Sequence, residues 1–104
     1  MRIVLSDFMS LDGVVQAPGG EDEDRDGGFT QGGWSHPYFD VEAMGGAIGE
    51  ASATTEALLF GRRTYDTMAG AWPERGGDPF ADHMNSVAKY VVSRTYTQDD
   101  LTWN

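Results

Sequence analysis

Residues 57–67 read Ala-Leu-Leu-Phe-Gly-Arg-Arg-Thr-Tyr-Asp-Thr, a short apolar run followed by glycine, two arginines and polar residues. The run Ala57–Phe60 predicts a strand that is buried on both faces. Gly61 lets the backbone turn at low steric cost. Thr64 is expected to cap a helix, because its hydroxyl can accept a bond from a free backbone N–H. The segment therefore predicts a strand that turns directly into a helix.

The same turn has the chemistry of an anion-binding site. Free N–H groups at a helix N-terminus carry a partial positive charge. Arg62 and Arg63 add two guanidinium groups, which form charge-assisted bonds with phosphate. The alternative is an ordinary connection with two solvated arginines, since strand–glycine–helix turns are common. The local pattern leaves both interpretations open.

Charge limits the partners of this chain, whose 104 residues are enough for one domain. Acidic residues number 17 against 7 basic ones, and the net charge of −10 argues against binding to nucleic acid or an anionic membrane. The sequence contains no cysteine, which excludes disulfides and thiolate metal sites. No apolar run approaches the roughly 20 residues of a membrane span. We therefore expect a cytoplasmic protein.

Strand and helix patterns alternate along the chain. Besides the central strand, strands are expected at residues 2–9 and 88–93, helices at 41–52, 64–69 and 79–85, and a loop at 71–77. Asp40 and Asp78 are the expected N-caps of the first and last helices. The order strand, helix, strand, helix, strand predicts an α/β fold with parallel strands.

The predicted helix over residues 41–52 has an apolar stripe and several glycines. Val41, Met44, Ile48 and Ala51 recur at helical spacing and define its expected buried face. Glycines at positions 45, 46 and 49 weaken the helix, and close packing against a neighbour is the favoured explanation for them.

Polar residues collect where the predicted strands end. Ligands of parallel sheets gather beyond the carboxyl ends of the strands. The segments 10–15, 61–64 and 93–95 all fall there. Ser93 and Arg94 offer a hydroxyl and a cation, which suit a second phosphate contact.

A long acidic loop at residues 16–33 precedes an aromatic cluster. Its aspartates at positions 22, 24 and 26 match the start of a calcium-binding loop, but the twelfth position is Gly33 instead of Glu, so a solvated loop is favoured. Trp34 is the candidate for ligand contact, and His36 is a candidate acid–base group. Since His36 and His83 lack metal-ligand spacing, we expect no metal.

Five motifs in chain order resemble a known enzyme family. They are Ser10-Leu11-Asp12-Gly13-Val14, Gly32-Gly33-Trp34, Gly61-Arg62-Arg63-Thr64-Tyr65, Trp72-Pro73 and Lys89-Tyr90-Val91-Val92-Ser93-Arg94. Together they resemble dihydrofolate reductase, and more closely the bacterial family that includes the C-terminal reductase domain of the riboflavin-biosynthesis protein RibD.

The resemblance implies a dihydrofolate reductase-like α/β fold with a predominantly parallel sheet flanked by helices. The family domain is considerably longer than this chain, which resembles its N-terminal half to two-thirds. We therefore expect residues 1–104 to form a single, truncated domain whose sheet is incomplete in one chain.

The resemblance also implies NADPH as the cofactor. The residues expected to hold its adenosine side are Gly61, Arg62, Arg63 and Thr64, with one of the two arginines near the 2′-phosphate, and Ser93 and Arg94 as the second wall. Asp12, Gly13 and Val14 would lie near the nicotinamide, and Trp34 beside the substrate.

The predicted function is that of an NADPH-dependent reductase that transfers a hydride to a heterocyclic or carbonyl substrate. No catalytic residue is assigned, because the acidic residue that helps protonate folate has no clear counterpart. Asp40 and Glu42 are the acidic residues near its position. The alternative is a non-catalytic half-domain or nucleotide-binding fragment that completes its sheet by homodimerisation.

Overall fold

Two strands and three α-helices form the regular structure of the part of the chain described, residues 1–75 and 77–103 of a computed structural model. They are α1 (Ala43–Ser52), β1 (Ala57–Gly61), α2 (Arg62–Ala71), α3 (Pro79–Ser86) and β2 (Ala88–Val92). Gly76, within the predicted loop at 71–77, lies outside the described residues. The chain forms two compact units, an N-terminal unit (Met1–Met44) and a C-terminal unit (Gly45–Asn104).

The two strands pair in parallel, which confirms the predicted α/β class. Their register runs from Ala57 opposite Ala88 to Gly61 opposite Val92. Both strands therefore end at the same edge of the sheet. The second strand ends at Val92, one residue earlier than the sequence predicts. Helix α2 follows β1 without a connecting loop and packs against both strands.

Only one face of this sheet is covered, so the expectation that β1 is buried on both faces is wrong. Leu58 and Phe60 are half-buried, whereas Leu59 between them is 58% exposed. On β2, Tyr90 and Val92 are likewise exposed. The alternation arises because successive strand side chains point to opposite faces, and only one of these faces has packing partners among the described residues.

An aromatic core lies on the covered side of the sheet. Trp103 is 5% exposed and stacks on Phe60 with ring centroids 6.1 Å apart. Its backbone N–H donates to the hydroxyl of Tyr65 at 2.9 Å, and its indole N–H donates to the side-chain oxygen of Asn85 at 2.7 Å. Trp103 thus connects β1, α2 and α3.

The helix ends agree with the predicted caps at two of three places. The Asp78 carboxylate accepts the N–H of Phe80 at 2.9 Å and begins α3. Asp40 accepts the N–H of Ala43 at 3.0 Å. The prediction for Thr64 is wrong, because α2 begins at Arg62 with Gly61 as its N-cap. The helix therefore includes Thr64 in its first turn.

Helix α1 differs from its predicted packing. It contains no buried residue, and Val41 lies before its start and is 77% exposed. A Cβ placed on Gly45, Gly46 or Gly49 would meet nothing within 4 Å among the described atoms. The close-packing explanation for these glycines is therefore wrong.

The N-terminal unit contains no strand, so the predicted strand at residues 2–9 is wrong. Its apolar residues Ile3, Val4 and Leu5 are all exposed. An extended apolar segment becomes a strand only when its N–H and C=O groups find a partner strand. The apolar pattern is typical of a strand, but it does not show whether a partner strand is present.

The acidic loop at residues 16–33 is folded on itself. The N–H of Gly33 donates to the carbonyl of Ala17 at 2.8 Å, and the Ser35 hydroxyl donates to the carbonyl of Pro18 at 2.6 Å. The Glu23 carboxylate accepts the N–H groups of Gly19 and Gly20 at 2.7 and 2.9 Å. Hydrogen bonds between side chains and backbone thus give this loop a defined conformation.

Candidate functional site

The strand ends of the C-terminal unit bring together two of the predicted site segments. Gly61 ends β1 and is paired with Val92, which ends β2. Arg62 and Ser93 are the next residues along each strand, so the segments 61–64 and 93–94 share one edge of the sheet. The two segments predicted to hold the adenosine side therefore lie at the same edge of the sheet, although they are about 30 residues apart in sequence.

The first turn of α2 has the backbone geometry of an anion site. Gly61 is extended, with φ −73° and ψ 162°, and no side chain caps the helix at this end. The first N–H groups of a helix have no partner within the helix and carry its positive dipole end. Arg63 and Thr64 in this turn are exposed.

Arg62 is held by two neighbours. Its Nη1 lies 3.2 Å from Asp66 Oδ2, one helical turn later, and both side chains are 40% exposed. Its guanidinium carbon also lies 5.6 Å from the ring centroid of Tyr96. The Tyr96 hydroxyl in turn lies 2.9 Å from each oxygen of Asp66. Neither Asp66 nor Tyr96 is predicted as a site residue from the sequence, because their contact spans 30 residues.

The loop after β2 is organised by Ser93. Its hydroxyl oxygen accepts the N–H of Thr95 at 3.1 Å and that of Tyr96 at 3.0 Å, an arrangement that shapes the turn locally. Arg94 is exposed, and no hydrogen bond or ion pair joins it to another residue in the described part of the chain. Ser93 therefore shapes the loop after β2, and Arg94 is an exposed cation in that loop.

Lys89 lies on the covered side of the sheet, near the start of β2 and opposite Leu58 of β1. Its Nζ is 4.3 Å from the ring centroid of Trp103 and has no hydrogen-bond partner among the described residues. Burial lowers the pKa of Lys89 from its ordinary value, because the charged form loses hydration. This contact belongs to the core, and its cation faces an indole ring.

The Ser10–Val14 segment of the N-terminal unit forms the predicted turn. Ser10 N–H donates to the carbonyl of Val14 at 2.9 Å, and Gly13 adopts φ +93°, which favours glycine. The Ser10 hydroxyl donates to Asp12 at 2.6 Å and accepts the N–H of Val14 at 2.8 Å. The bond from Ser10, followed by that from its own backbone N–H, lowers the pKa of the Asp12 carboxyl.

Trp34 lines an open cleft within the same unit. Its indole N–H donates to the carbonyl of Gln16 at 2.8 Å, which fixes the ring at the base of the loop. The cleft has a volume of about 320 Å³ and is lined also by Asp7, Phe8 and Tyr38, among others. A partly apolar cleft with an aromatic wall suits a flat organic molecule.

The acid–base candidates have structural partners. His36 Nε2 makes a hydrogen bond with the carbonyl of Gly19, and the Asp40 carboxylate caps α1. Glu42 is exposed. In residues 1–75 and 77–103 no group of three or more His, Asp or Glu side chains is arranged to hold a metal ion. No helix there is both long and apolar enough to cross a membrane.

Comparison with known proteins identifies the family. The family model described as the RibD C-terminal domain matches residues 2–103. No curated protein matches the chain. The family match covers nearly the whole chain, and the chain belongs to the RibD C-terminal domain family, whose members are dihydrofolate reductase-like reductase domains.

Proposed function

We propose that this member of the RibD C-terminal domain family binds NADPH and transfers its hydride to a C=N or C=O carbon of a heterocyclic or carbonyl substrate. The observation that carries the proposal is the shared strand edge of the C-terminal unit, where Arg62, Arg63 and Arg94 follow two paired strands. The chain has six arginines and a net charge of −10, so three of its cations sit at one edge of an otherwise acidic protein.

The donor set at this edge fits the phosphates of a dinucleotide. Phosphate oxygens accept hydrogen bonds only, and the edge presents donors: the first N–H groups of α2 and the guanidinium groups of Arg63 and Arg94. Gly61 has no side chain at the turn, and a Cβ there would meet nothing within 4 Å among the residues that the structure describes. The cofactor can therefore approach the backbone between the two segments.

The N-terminal unit supplies the residues proposed for the reacting end. Asp12, Gly13 and Val14 form a turn fixed by Ser10 and are proposed to contact the nicotinamide. Trp34 is proposed to face the substrate, because its ring forms part of the aromatic cleft. The bound cofactor would supply the hydride, and these side chains would orient the two reacting rings.

Titration of the protein with NADPH and NADH, followed by cofactor fluorescence, tests the proposal. At least one of Arg62→Ala and Arg63→Ala should weaken NADPH more than NADH, because one of these arginines is proposed to make a charge-assisted contact with the 2′-phosphate, worth about 1.5–3 kcal/mol. Arg75→Ala is the matched control, since Arg75 packs over Trp72 after the opposite end of α2. Absence of NADPH binding at about millimolar concentration, or equal weakening of both cofactors, would overturn the assignment.

The second candidate is a non-catalytic half-domain or nucleotide-binding fragment that forms a homodimer. The exposed face of the two-stranded sheet favours it, because Leu59, Tyr90 and Val92 are 58%, 62% and 70% exposed. Unpaired strand edges and apolar faces recruit other chains. Light scattering at micromolar protein distinguishes the candidates: a monomeric mass contradicts the dimer, and a dimer without NADPH binding favours it over the reductase.

A further inference from the structure

An acidic side chain lies within the cationic edge of the sheet. Asp66 contacts both Arg62 of its own helix and Tyr96 of the loop after β2, and these three residues are called the Asp66 cluster. None of the five sequence motifs includes Asp66. A carboxylate at a site for phosphate is unfavourable for binding, so its presence requires an explanation.

Asp66 contacts both segments of the proposed adenosine site, through Arg62 at the start of α2 and Tyr96 in the loop after β2. Tyr96 lies within hydrogen-bond distance of both carboxylate oxygens, at 2.9 Å each. The Ser93 hydroxyl holds the backbone N–H of Tyr96 at 3.0 Å and so limits where that side chain can reach. Asp66 therefore anchors the segment that carries Arg94 to the first half of α2.

The same carboxylate offsets the charge of Arg62. The Nη1–Oδ2 distance of 3.2 Å makes a hydrogen-bonded ion pair, and the Tyr96 ring lies 5.6 Å from the guanidinium carbon. The pair has no net charge, so Arg62 adds little positive potential to this edge of the sheet while Asp66 is ionised. A ligand with an additional phosphate gains less at this edge than three cations would provide.

We propose that Asp66 is a specificity-determining residue that limits the preference for NADPH over NADH, while its bond to Tyr96 positions the loop that carries Arg94. This inference rests on the proposed binding of NADPH. The two cofactors differ only in the 2′-phosphate, which carries a charge of roughly −1.5 to −2 at neutral pH. Removing the Asp66 charge while keeping its shape should therefore favour NADPH selectively.

Asp66→Asn tests the charge, because the amide oxygen can still accept from Tyr96. We expect the ratio of the NADH and NADPH dissociation constants to rise about three- to tenfold, from the loss of one carboxylate–phosphate repulsion. The increase should shrink in about 0.5–1 M salt, which screens exposed charges. Glu56→Gln is the matched control, since Glu56 is exposed and directly precedes β1, at the end of the strand away from the proposed site. The ratio of the two dissociation constants should change less than about twofold in this variant.

Tyr96→Phe tests the positioning role, because it keeps the ring beside Arg62 and removes the hydroxyl. Both dissociation constants should rise by a similar factor, about two- to fivefold for one exposed hydrogen bond, and their ratio should stay constant. Circular dichroism of each variant checks that it is folded. An unchanged or lower ratio in Asp66→Asn, or unchanged binding in Tyr96→Phe, overturns this inference alone. Failure of the wild-type protein to bind either dinucleotide overturns the proposed function as well.

Discussion

The two units of this chain are stabilised by different interactions. The C-terminal unit buries Tyr65, Ala81 and Trp103, and Trp103 stacks on Phe60 of β1. In the N-terminal unit the buried residues are Ala17 and Ser35, and the loop is held by bonds such as that from Trp34 to the carbonyl of Gln16. One unit thus relies on side-chain packing and the other on hydrogen bonds to the backbone.

This difference has consequences for how each unit responds to substitution. Aromatic packing is lost in proportion to the atoms removed, so large-to-small changes cost most in the C-terminal unit. A hydrogen-bonded loop is sensitive to its backbone geometry, since a displaced carbonyl or N–H loses its partner. Three substitutions test this contrast, in order of decreasing expected effect.

Trp103→Ala should lower the free energy of unfolding by about 3–5 kcal/mol, the usual cost of deleting a buried aromatic side chain. It removes the stacking on Phe60, the bond to Asn85 and the contact with Lys89. Urea denaturation measures the total, and hydrogen exchange locates it. Protection should fall most in the peptides of β1, α2 and β2.

Trp103→Phe is the control for this experiment, because it keeps an aromatic ring and loses the indole donor to Asn85. Its cost should be well below that of Trp103→Ala. Equal loss of protection in residues 16–35 and in β1 would contradict the contrast between the units.

Gly32→Ala should destabilise the N-terminal loop by about 1–3 kcal/mol, the range for overpacking. A Cβ at Gly32 would lie 2.2 Å from the carbonyl oxygen of Glu21, which is backbone and cannot swing aside. Faster hydrogen exchange in residues 16–35 is the expected readout. Gly46→Ala is the matched control: its site in α1 is open, so it should stabilise the helix by up to about 1 kcal/mol.

Slower hydrogen exchange in Gly32→Ala would show that the close backbone approach does not shape the loop. A change in stability of the same sign in Gly32→Ala and Gly46→Ala would show the same.

Lys89→Met should raise the free energy of unfolding at pH 7 by less than about 1 kcal/mol, since the contact with Trp103 partly offsets the loss of hydration. Burial lowers the pKa of Lys89 from the ordinary 10.5, so the unfolded chain binds its proton more tightly. The cost of the charged form is therefore present at neutral pH and disappears as pH rises from the lowered pKa toward 10.5.

Thermal unfolding of wild-type and Lys89→Met protein between pH 6 and about 10.5 measures this difference. The advantage of the variant should shrink with rising pH. A constant or growing advantage would contradict a cost from the buried charge.

Much of the candidate site could be predicted from local sequence. The apolar run, Gly61 and the two arginines are contiguous, and the parallel pairing of β1 with β2 follows from the intervening helices. The pair Asp66–Tyr96 could not be predicted, because nothing in either local pattern indicates which residue 30 positions away it meets. The same applies to Lys89 and Trp103.

The apolar segment at residues 2–9 is a case in which the sequence predicted an element that does not form. Its composition predicted a strand, but strand formation depends on a partner that supplies hydrogen bonds, and these residues remain outside any strand. Likewise, the apolar stripe of residues 41–52 correctly predicted a helix, found at Ala43–Ser52, but wrongly predicted that one face of this helix is buried.

The sequence by itself determined the parts of this protein that depend on neighbouring residues: the strand–glycine–helix turn at Gly61, the Asp78 cap and the Asp12–Gly13 turn. Steric and hydrogen-bonding preferences of a few consecutive residues suffice for these. Tertiary structure alone decided which face of the sheet is covered and that Asp66 of α2 contacts Tyr96 in the loop after β2. These features depend on side chains that meet across long sequence distances, and local preferences do not determine such contacts.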